Sequence, residues 1–324
     1  MKSLKDIRFL IEYIPVILIV KALRLLPFKS LKYLCHSIGT LMYILPPVGR
    51  LAAANVMAAF PEKSKAECRG IARRSLGNLI LSFAEFIWMV DDIKRIGKYA
   101  HMHNADMINE HADKGESILF VTPHFGNWEI AGLLMTHFTR MRFVVIAKKI
   151  RNPYLDQLIN GCRETGNKVI YSKGAVREVM KAMKQGYGLG SLIDQNTRIR
   201  DGGVFVDFFG LPVPVSRMPA TLGKRPGNIP YFGGVYRDPE TGHLHSYMKS
   251  LPKPIEEYES DDAIIGDFMK LTEEMIRRYP DQYLWFYKRY QNIPRDASAE
   301  LIARYPYYAV VASDRFYDNN APKP

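Results

Sequence analysis

Beyond Gly115 the chain alternates short apolar segments with longer segments in which apolar residues recur every three or four positions. Short apolar runs between turn residues are typical of buried strands, and the longer spacing indicates helices. Strands that alternate with helices build the α/β class, so we predict an α/β core. The predicted strands are 117–122, 143–147, 168–171, 187–193, 204–209, 229–235 and 245–249, and the predicted helices are 129–138, 154–165, 175–185 and 263–279.

The first hundred residues lack this alternation and are predominantly helical in pattern. Residues 50–99 have helical spacing, broken at Phe60-Pro61 and resumed after Ser64, which is a suitable N-cap residue. A long helix is predicted over 71–89. We therefore divide the chain into four parts: an apolar membrane-anchoring segment (1–48), a helical segment that packs on the core (49–112), the α/β core (113–296) and an irregular tail (297–324).

The amino-terminal segment is apolar enough to bind a membrane. Residues 9–20 are apolar except for Glu12 and Pro15, and lysines and arginines flank them on both sides. A spanning helix needs ~20 apolar residues, so this stretch is short for a span. We expect an anchoring helix that either crosses the membrane or lies in its interface. The alternative is a buried amphipathic hairpin, formed with the apolar stretch 31–48, in a soluble domain.

Composition narrows the possible partners and excludes several kinds of site. The chain has 45 Lys and Arg against 33 Asp and Glu, a net charge of +12 that suits an acidic membrane, a phosphorylated substrate or nucleic acid. Its basic residues are dispersed and no recognition element groups them, which argues against nucleic acid. The three cysteines, Cys35, Cys68 and Cys162, are widely spaced, and no phosphate-binding glycine loop is present. We predict no metal and no bound cofactor.

One motif carries recognisable chemistry. Pro123-His124-Phe125-Gly126-Asn127-Trp128-Glu129 directly follows the first predicted strand. The carboxyl ends of strands are where open α/β sheets bind ligands. An imidazole held by a carboxylate is a general base, and no serine or cysteine nearby would serve as a nucleophile. We therefore predict that His124, oriented by Glu129, removes a proton from the hydroxyl of an acceptor.

The two side chains require a turn between them. Five residues of continuous helix would separate them by about 140° around the helix axis. They can meet only if the chain turns at Gly126-Asn127, which the glycine permits. A helix that starts after this turn would also direct backbone N–H groups at a developing oxyanion. The spacing by itself is weak, because histidine and glutamate fall five positions apart in many chains.

Several ordered blocks resemble the late acyltransferases of bacterial lipid A synthesis. TPHFGNWEIAG is similar to the family's His-x4-Asp/Glu block. Further blocks that resemble the family are Asn55 with Phe60-Pro61, Arg151-Asn152-Pro153 with Leu155-Asp156 and Arg163, Tyr171-Ser172-Lys173-Gly174, Leu192-Ile193-Asp194-Gln195 with GVFVDFFG, and QYLW with Arg289. Together they extend from about residue 50 to residue 290.

The resemblance implies a fold and a reaction. The fold would be a central mixed sheet flanked by helices, as in glycerolipid acyltransferases, tethered at the cytoplasmic face of the bacterial inner membrane. The reaction would move a fatty acyl chain from acyl carrier protein to a Kdo-containing lipid A precursor. His124 and Glu129 would be catalytic, and Asn127, Arg163, Lys173 and Asp194 would bind substrate.

Two departures affect the expected specificity. Tyr287 stands where the family more often has histidine, and residues 216–227 are more basic and more interrupted by proline than expected. The acceptor could therefore be another lipid, such as a glycolipid, an aminolipid or a phosphoinositol mannoside. The alternative from a different class is a non-enzymatic basic protein that binds membranes. The FPEGTRS-like block of glycerolipid acyltransferases is absent.

Overall fold

A seven-stranded mixed sheet forms the centre of the protein. The computed structural model describes residues 4–171 and 175–318. The strands, in chain order, are β1 (Ala100–His101), β2 (Ser117–Thr122), β3 (Phe143–Ala147), β4 (Lys168–Tyr171), β5 (Gly188–Leu192), β6 (Gly203–Phe208), β7 (Leu211–Ser216), β8 (Asn228–Arg237), β9 (Leu244–Ser250), β10 (Asn292–Ile293) and β11 (Val310–Val311).

The helices precede the sheet, connect its strands and close the chain. They are α1 (Leu4–Leu25), α2 (Phe28–Ile44), α3 (Pro46–Ala59), α4 (Lys65–Met89), α5 (Ile93–Tyr99), α6 (Ala105–Asp113), α7 (Trp128–Phe138), α8 (Pro153–Arg163), α9 (Ala175–Met183), α10 (Met218–Gly223), α11 (Asp261–Arg278), α12 (Ala299–Ala303) and α13 (Asp314–Tyr317). Single turns of 3-10 helix lie at Ile199–Asp201, Ile255–Glu257 and Pro280–Gln282.

The order of the strands confirms the predicted α/β class and the mixed sheet. The sheet runs β1-β9-β8-β2-β5-β3-β4. Every neighbouring pair is parallel except β8 and β9, which are antiparallel. Helices lie on both faces, and β2 alternates between two apolar clusters: Leu119 and Val121 belong to one, Ile118 and Phe120 to the other. A strand buried on both faces reads as a continuous apolar run, which is why β2 was visible in the sequence.

All seven predicted strands are present, and one lies outside the central sheet. The segment predicted at 204–209 is β6, which pairs with β7 in a separate antiparallel ribbon. Strand β7 was not predicted because it contains Pro212 and Pro214. Proline cannot donate a backbone hydrogen bond, so it is confined to edge strands and to N–H positions that face outward. Here both prolines face Asp207 and Phe205 in a ribbon of only two strands.

The helical amino-terminal region agrees with the sequence pattern, with one boundary inside a helix. Ser64 is the N-cap of α4, as predicted, and forms a capping box with Glu67. Helices α2 and α3 form a sharp corner at Leu45, so the division at residue 48 falls within α3. Within residues 4–171 and 175–318 no single helix is long and apolar enough to cross a membrane; α2 and α3 meet that criterion only as a pair bent by 95°.

The tail is more regular than the sequence indicated. After Ile293 it turns through α12 and returns as β11, which pairs with β10. The hydroxyl of Tyr305 donates to the carbonyl of Pro212 at 2.6 Å, and the guanidinium of Arg50 lies 4.0 Å from the centre of the Tyr307 ring. We name residues 297–318 the C-terminal strap.

Four of the eight histidines form two hydrogen-bonded pairs at the edge of the sheet. His101 Nε2 lies 3.1 Å from His243 Nδ1, and His103 Nε2 lies 2.9 Å from His245 Nδ1. Such a bond requires one protonated and one unprotonated nitrogen, so each pair is stable when at most one of its rings is charged. Burial lowers the pKa of His101, and the neighbouring His243 and His103 lower it further. Burial and the other three rings likewise lower the pKa of His245, against the charge of Asp238.

These histidines predict a loss of stability in acid. A histidine whose pKa is lowered in the folded state binds its proton more readily when the chain is unfolded. Its contribution to the stability of the fold is therefore complete above pH ~6.5 and declines as the pH falls below that value. We expect the melting temperature to fall between pH 7.5 and pH 5.5. The decrease should be smaller in His245→Gln, measured by differential scanning fluorimetry at both pH values. An equal decrease in the two proteins would show that the pairs do not cause it.

Candidate active site

The site lies where two adjacent parallel strands end. Thr122, the last residue of β2, pairs with Leu192, the last residue of β5. His124 stands two positions beyond the first strand and Asp194 two positions beyond the second. Equivalent offsets from paired strand ends bring the two side chains to the same edge of the sheet. This is the carboxyl edge, where α/β sheets bind ligands.

Asp194 holds His124 through two hydrogen bonds. His124 Nδ1 lies 2.7 Å from Asp194 Oδ1, and the backbone N–H of His124 donates to Asp194 Oδ2 at 2.9 Å. His124 is 8% exposed and Asp194 is 2% exposed. The carboxylate therefore fixes the orientation of the ring and favours the tautomer with the proton on Nδ1, which leaves Nε2 as the basic nitrogen.

The charges around the pair favour an ionised aspartate and a more basic histidine. Burial lowers the pKa of His124, but the charge and hydrogen bond of Asp194, aided by the charge of Glu129, raise it further, so the net shift is upward. Burial raises the pKa of Asp194, but the charge and hydrogen bonds of His124, together with the charge of Arg289, outweigh burial and bring that pKa below its usual value. A base strengthened in this way removes a hydroxyl proton more readily than a free imidazole.

The predicted turn exists, and it requires its glycine. Gly126 has φ +57° and donates its N–H to the carbonyl of Gln282 at 2.8 Å. A Cβ at this position would lie 1.9 Å from the carbonyl oxygen of Val235, so a larger residue would force the backbone apart. The carbonyl of Gly126 accepts from the Ser82 hydroxyl at 2.6 Å. The turn thus joins α4, β8 and the residues after α11.

The carboxylate that contacts His124 is not the one expected from the motif. Glu129, in the first turn of α7, forms a forked ion pair with Arg163: its oxygens lie 2.5 Å from Nη2 and 2.9 Å from Nε. Arg163 Nη1 also donates to Asn160 Oδ1 at 2.9 Å. The expected hydrogen bond between His124 and Glu129 is therefore replaced by the one to Asp194. Glu129 acts on His124 through its charge, and it holds Arg163 in place.

The side chain of Asn127 forms its hydrogen bonds within the protein. It is fully buried, and its amide donates to Ser82 O at 3.1 Å and to Glu85 Oε2 at 2.9 Å. Its Oδ1 accepts from the N–H of Ile130, so Asn127 is the N-cap of α7. Glu85 in turn forms a buried, forked ion pair with Arg237 of β8. Asn127 therefore fixes the start of the helix that carries Glu129.

Lys173, which was predicted to bind substrate, lies outside the described residues. Gln195 was not predicted as a site residue, yet its Nε2 lies 3.3 Å from His124 Nε2, on the basic nitrogen. The sequence feature that could have identified Gln195 is its position directly after Asp194. The ring of Trp128 stands edge-on to His124 with centroids 5.2 Å apart and closes another side of the site.

Other family-like blocks support the surrounding structure. Asp156 accepts hydrogen bonds from the N–H of Ile150 and the hydroxyl of Tyr171, each at 2.7 Å. The amide of Asn152 donates to the carbonyl of Phe9 at 2.9 Å and so ties α8 to α1. Among the residues that the structure describes, no three histidine, cysteine, aspartate or glutamate side chains are grouped so as to hold a metal ion.

Comparison with known proteins decides the family. Residues 1–292 match the sequence model of the bacterial lipid A biosynthesis acyltransferases. The chain belongs to this family. It is 23% identical over 274 residues to a lipid A biosynthesis palmitoleoyltransferase of Escherichia coli, which covers 83% of this chain and 87% of that protein. It is 21% identical over 275 residues to a lipid A biosynthesis lauroyltransferase of the same organism, which covers 83% and 88%.

Membership confirms the resemblance seen in the sequence blocks. The family supports an acyltransferase that acts in lipid A biosynthesis. A lipid A biosynthesis acyltransferase of Shigella flexneri is also 23% identical over 274 residues. The match extends across the amino-terminal helices and the sheet, and it ends before the C-terminal strap.

Proposed function

We propose that the protein transfers a fatty acyl chain from an acyl carrier protein thioester to a hydroxyl of a Kdo-containing lipid A precursor, with His124 as the general base. The observation that carries the mechanism is the buried His124–Asp194 pair at the carboxyl edge of the sheet, with Nε2 free of the carboxylate. Family membership supports acyl transfer in lipid A biosynthesis. The donor and the role of each residue are parts of the proposal.

The reaction proceeds in one transfer without a covalent enzyme intermediate. The acceptor hydroxyl attacks the thioester carbonyl carbon while Nε2 of His124 takes the hydroxyl proton. Asp194 stabilises the imidazolium that forms. The tetrahedral oxyanion then collapses, the carbon–sulfur bond breaks, and the imidazolium returns the proton to the departing sulfur. An ester and a free thiol result, and no electrons are gained or lost.

Charge supports both proposed substrates. A net charge of +12 attracts an acidic carrier protein and an acceptor that bears phosphates and sugar acids. Arg163 is 26% exposed in its side chain and remains positively charged, because the ion pair with Glu129 raises its pKa against the effect of burial. Arg163 is thus oriented at the site by Glu129. We assign it to the pocket, where it would attract the anionic acceptor.

We propose that α1 and α2 place the catalytic site at the inner membrane, on its cytoplasmic face. On α1 the side chains of Ile7, Ile11, Ile14 and Leu18 are all at least 46% exposed and share one face. On α2, the side chains of Leu34, Ile38 and Leu41 form a second exposed apolar stripe. Large contiguous apolar surface is rare on soluble monomers and is typical of helices that lie in the membrane interface.

Two negative charges introduced into α1 should release the protein from membranes. We expect Ile11→Glu with Leu18→Glu to weaken binding to anionic phospholipid vesicles about tenfold or more. Each substitution removes apolar area that the membrane would bury and adds a negative charge that the anionic lipids repel. Vesicle co-sedimentation measures the effect. The control is Val310→Glu, which alters a 56% exposed apolar side chain on β11. Equal binding by the double variant and the control would refute this orientation.

The proposed reaction is tested with the purified full chain in detergent. The protein is incubated with acyl carrier protein thioesters of different chain lengths, or with the matching coenzyme A thioesters, and a Kdo-containing lipid A precursor. Mass spectrometry should detect a gain of one acyl chain with the carrier thioesters. Transfer to a glycolipid, an aminolipid or a phosphoinositol mannoside but not to the Kdo-containing precursor would move the proposal to that acceptor. No acyl gain on any acceptor would contradict it.

A further inference from the structure

We propose that the C-terminal strap is a positioning element for the catalytic pair and that Tyr308 is the residue through which it acts. This inference rests on the proposed function for its activity readout, and it concerns residues beyond the part of the chain that matches the family. Residues 283–290 form a turn that contacts both His124 and the segment that carries Asp194.

The turn holds the histidine side through the backbone. The N–H of Leu284 donates to the carbonyl of His124 at 3.1 Å. Tyr283 forms an isolated β-bridge with Phe125, the next residue of the motif. Strand β2 therefore fixes the backbone before His124, and this turn fixes the backbone that follows it.

The same turn holds the aspartate side through Asn196, two residues after Asp194. The hydroxyl of Tyr287 accepts from the N–H of Asn196 at 3.0 Å, and Arg289 Nη1 donates to Asn196 Oδ1 at 2.7 Å. Asn196 Nδ2 donates in turn to the carbonyl of Lys288 at 3.0 Å. Three hydrogen bonds to one residue leave the segment that carries Asp194 little freedom to move.

Asn55 of α3 binds the backbone of the same turn. This side chain is fully buried, and its Nδ2 donates to the carbonyls of Trp285 at 2.7 Å and Tyr287 at 2.8 Å. An amide that donates twice needs its Oδ1 satisfied to keep that orientation. The satisfying donor comes from the strap.

Tyr308 supplies that donor and a second contact. Its hydroxyl donates to Asn55 Oδ1 and accepts from the N–H of Tyr290 at 3.3 Å. One hydroxyl thus fixes both the side chain behind the turn and the end of the turn itself. Tyr308 is thus bonded to Asn55, and Asn55 to the backbone carbonyl of Tyr287. The hydroxyl of the same tyrosine accepts from Asn196, two residues after Asp194. A matched pair of variants tests whether these contacts couple Tyr308 to the catalytic pair.

The strap provides its own control. Tyr305 also donates its hydroxyl to one half-buried acceptor, the carbonyl of Pro212, but that bond leads to β7 and not to Asn55. Tyr308→Phe and Tyr305→Phe each remove one hydroxyl from the same segment. Both are expected to lower the melting temperature slightly. Only Tyr308→Phe should change the catalytic pair.

The experiment measures two quantities in the wild type and in both full-length variants. Tyr308→Phe should lower kcat about tenfold with little change in KM, since misplacing catalytic groups costs rate more than binding. By nitrogen-15 NMR of the histidine rings, Tyr308→Phe should also lower the pKa of His124, because a looser Asp194 stabilises the imidazolium less. Tyr305→Phe should keep kcat within a factor of two of the wild type and should leave the pKa of His124 unshifted.

The outcomes separate this inference from the proposed function. A wild-type protein that transfers no acyl chain would contradict the function, while the His124 pKa would still test the strap. Equal His124 pKa values in the wild type and both variants would overturn the strap proposal. Equal decreases of kcat in both variants would overturn it as well, since they indicate a general loss of folded protein. If Tyr308→Phe does not fold, Asn55→Asp replaces it, and an unshifted His124 pKa there is equally contradictory.

Discussion

His124→Ala is expected to lower kcat/KM for acyl transfer by about 10²–10⁴-fold, the usual contribution of a general base. The structure gives the reason. His124 carries the basic nitrogen of the pair at the sheet edge, and Asp194 orients it and raises its pKa. Without the imidazole, the acceptor hydroxyl must lose its proton to water while it attacks the thioester. The rate is measured from the initial formation of acylated lipid at saturating donor.

The control for this variant is His137→Ala. His137 lies on α7, the same helix that the catalytic turn leads into, and burial lowers its pKa. It should keep wild-type activity. Both proteins should retain the wild-type melting temperature within a few degrees. A folded His124→Ala protein with wild-type activity would refute His124 as the base.

Asp194→Asn is expected to lower kcat by up to about 10⁴-fold, because an amide beside Nδ1 no longer selects the tautomer that leaves Nε2 basic. The imidazolium would also lose its stabilising charge. The acid limb of the rate profile should therefore move to lower pH. Since a raised histidine pKa means the base is protonated over a wider acidic range, the wild-type rate should fall as the pH decreases through that raised pKa. The measurement is kcat against pH in both proteins.

Glu129→Gln distinguishes the two carboxylates. It should also lower the rate, because Arg163 then loses its forked partner in the pocket. It should move the acid limb of the rate profile only slightly, since Asp194 is the largest influence that raises the pKa of His124. If Glu129→Gln moved the acid limb further than Asp194→Asn does, the motif glutamate would be the orienting residue.

The sequence was sufficient to predict six of the seven strands of the central sheet and the position of His124 at its carboxyl edge. Short apolar runs made β2, β3 and β4 recognisable, and β2 is buried on both faces. The motif placed His124 just after β2. The turn at Gly126-Asn127 was predictable because a glycine between a strand and a helix permits it. Each of these features depends on local chemistry that a few neighbouring residues determine.

The partner of His124 depends on information that local pattern does not contain. Asp194 reaches His124 because β5 lies directly beside β2, although two other strands separate them in the sequence. The motif favoured Glu129, which is near in sequence but faces Arg163. The strap was equally hidden, because the contact of Tyr308 with Asn55 joins residues separated by 253 positions.

The most direct test of the central claim is a nitrogen-15 NMR titration of the His124 ring in the wild type and in Asp194→Asn. The His124→Ala spectrum identifies its signals among the eight histidines. The wild-type ring should be protonated on Nδ1 when neutral, and its pKa should lie above the usual value of about 6.5 and fall in Asp194→Asn. A His124 pKa that is unchanged by Asp194→Asn but lowered by Glu129→Gln would contradict it.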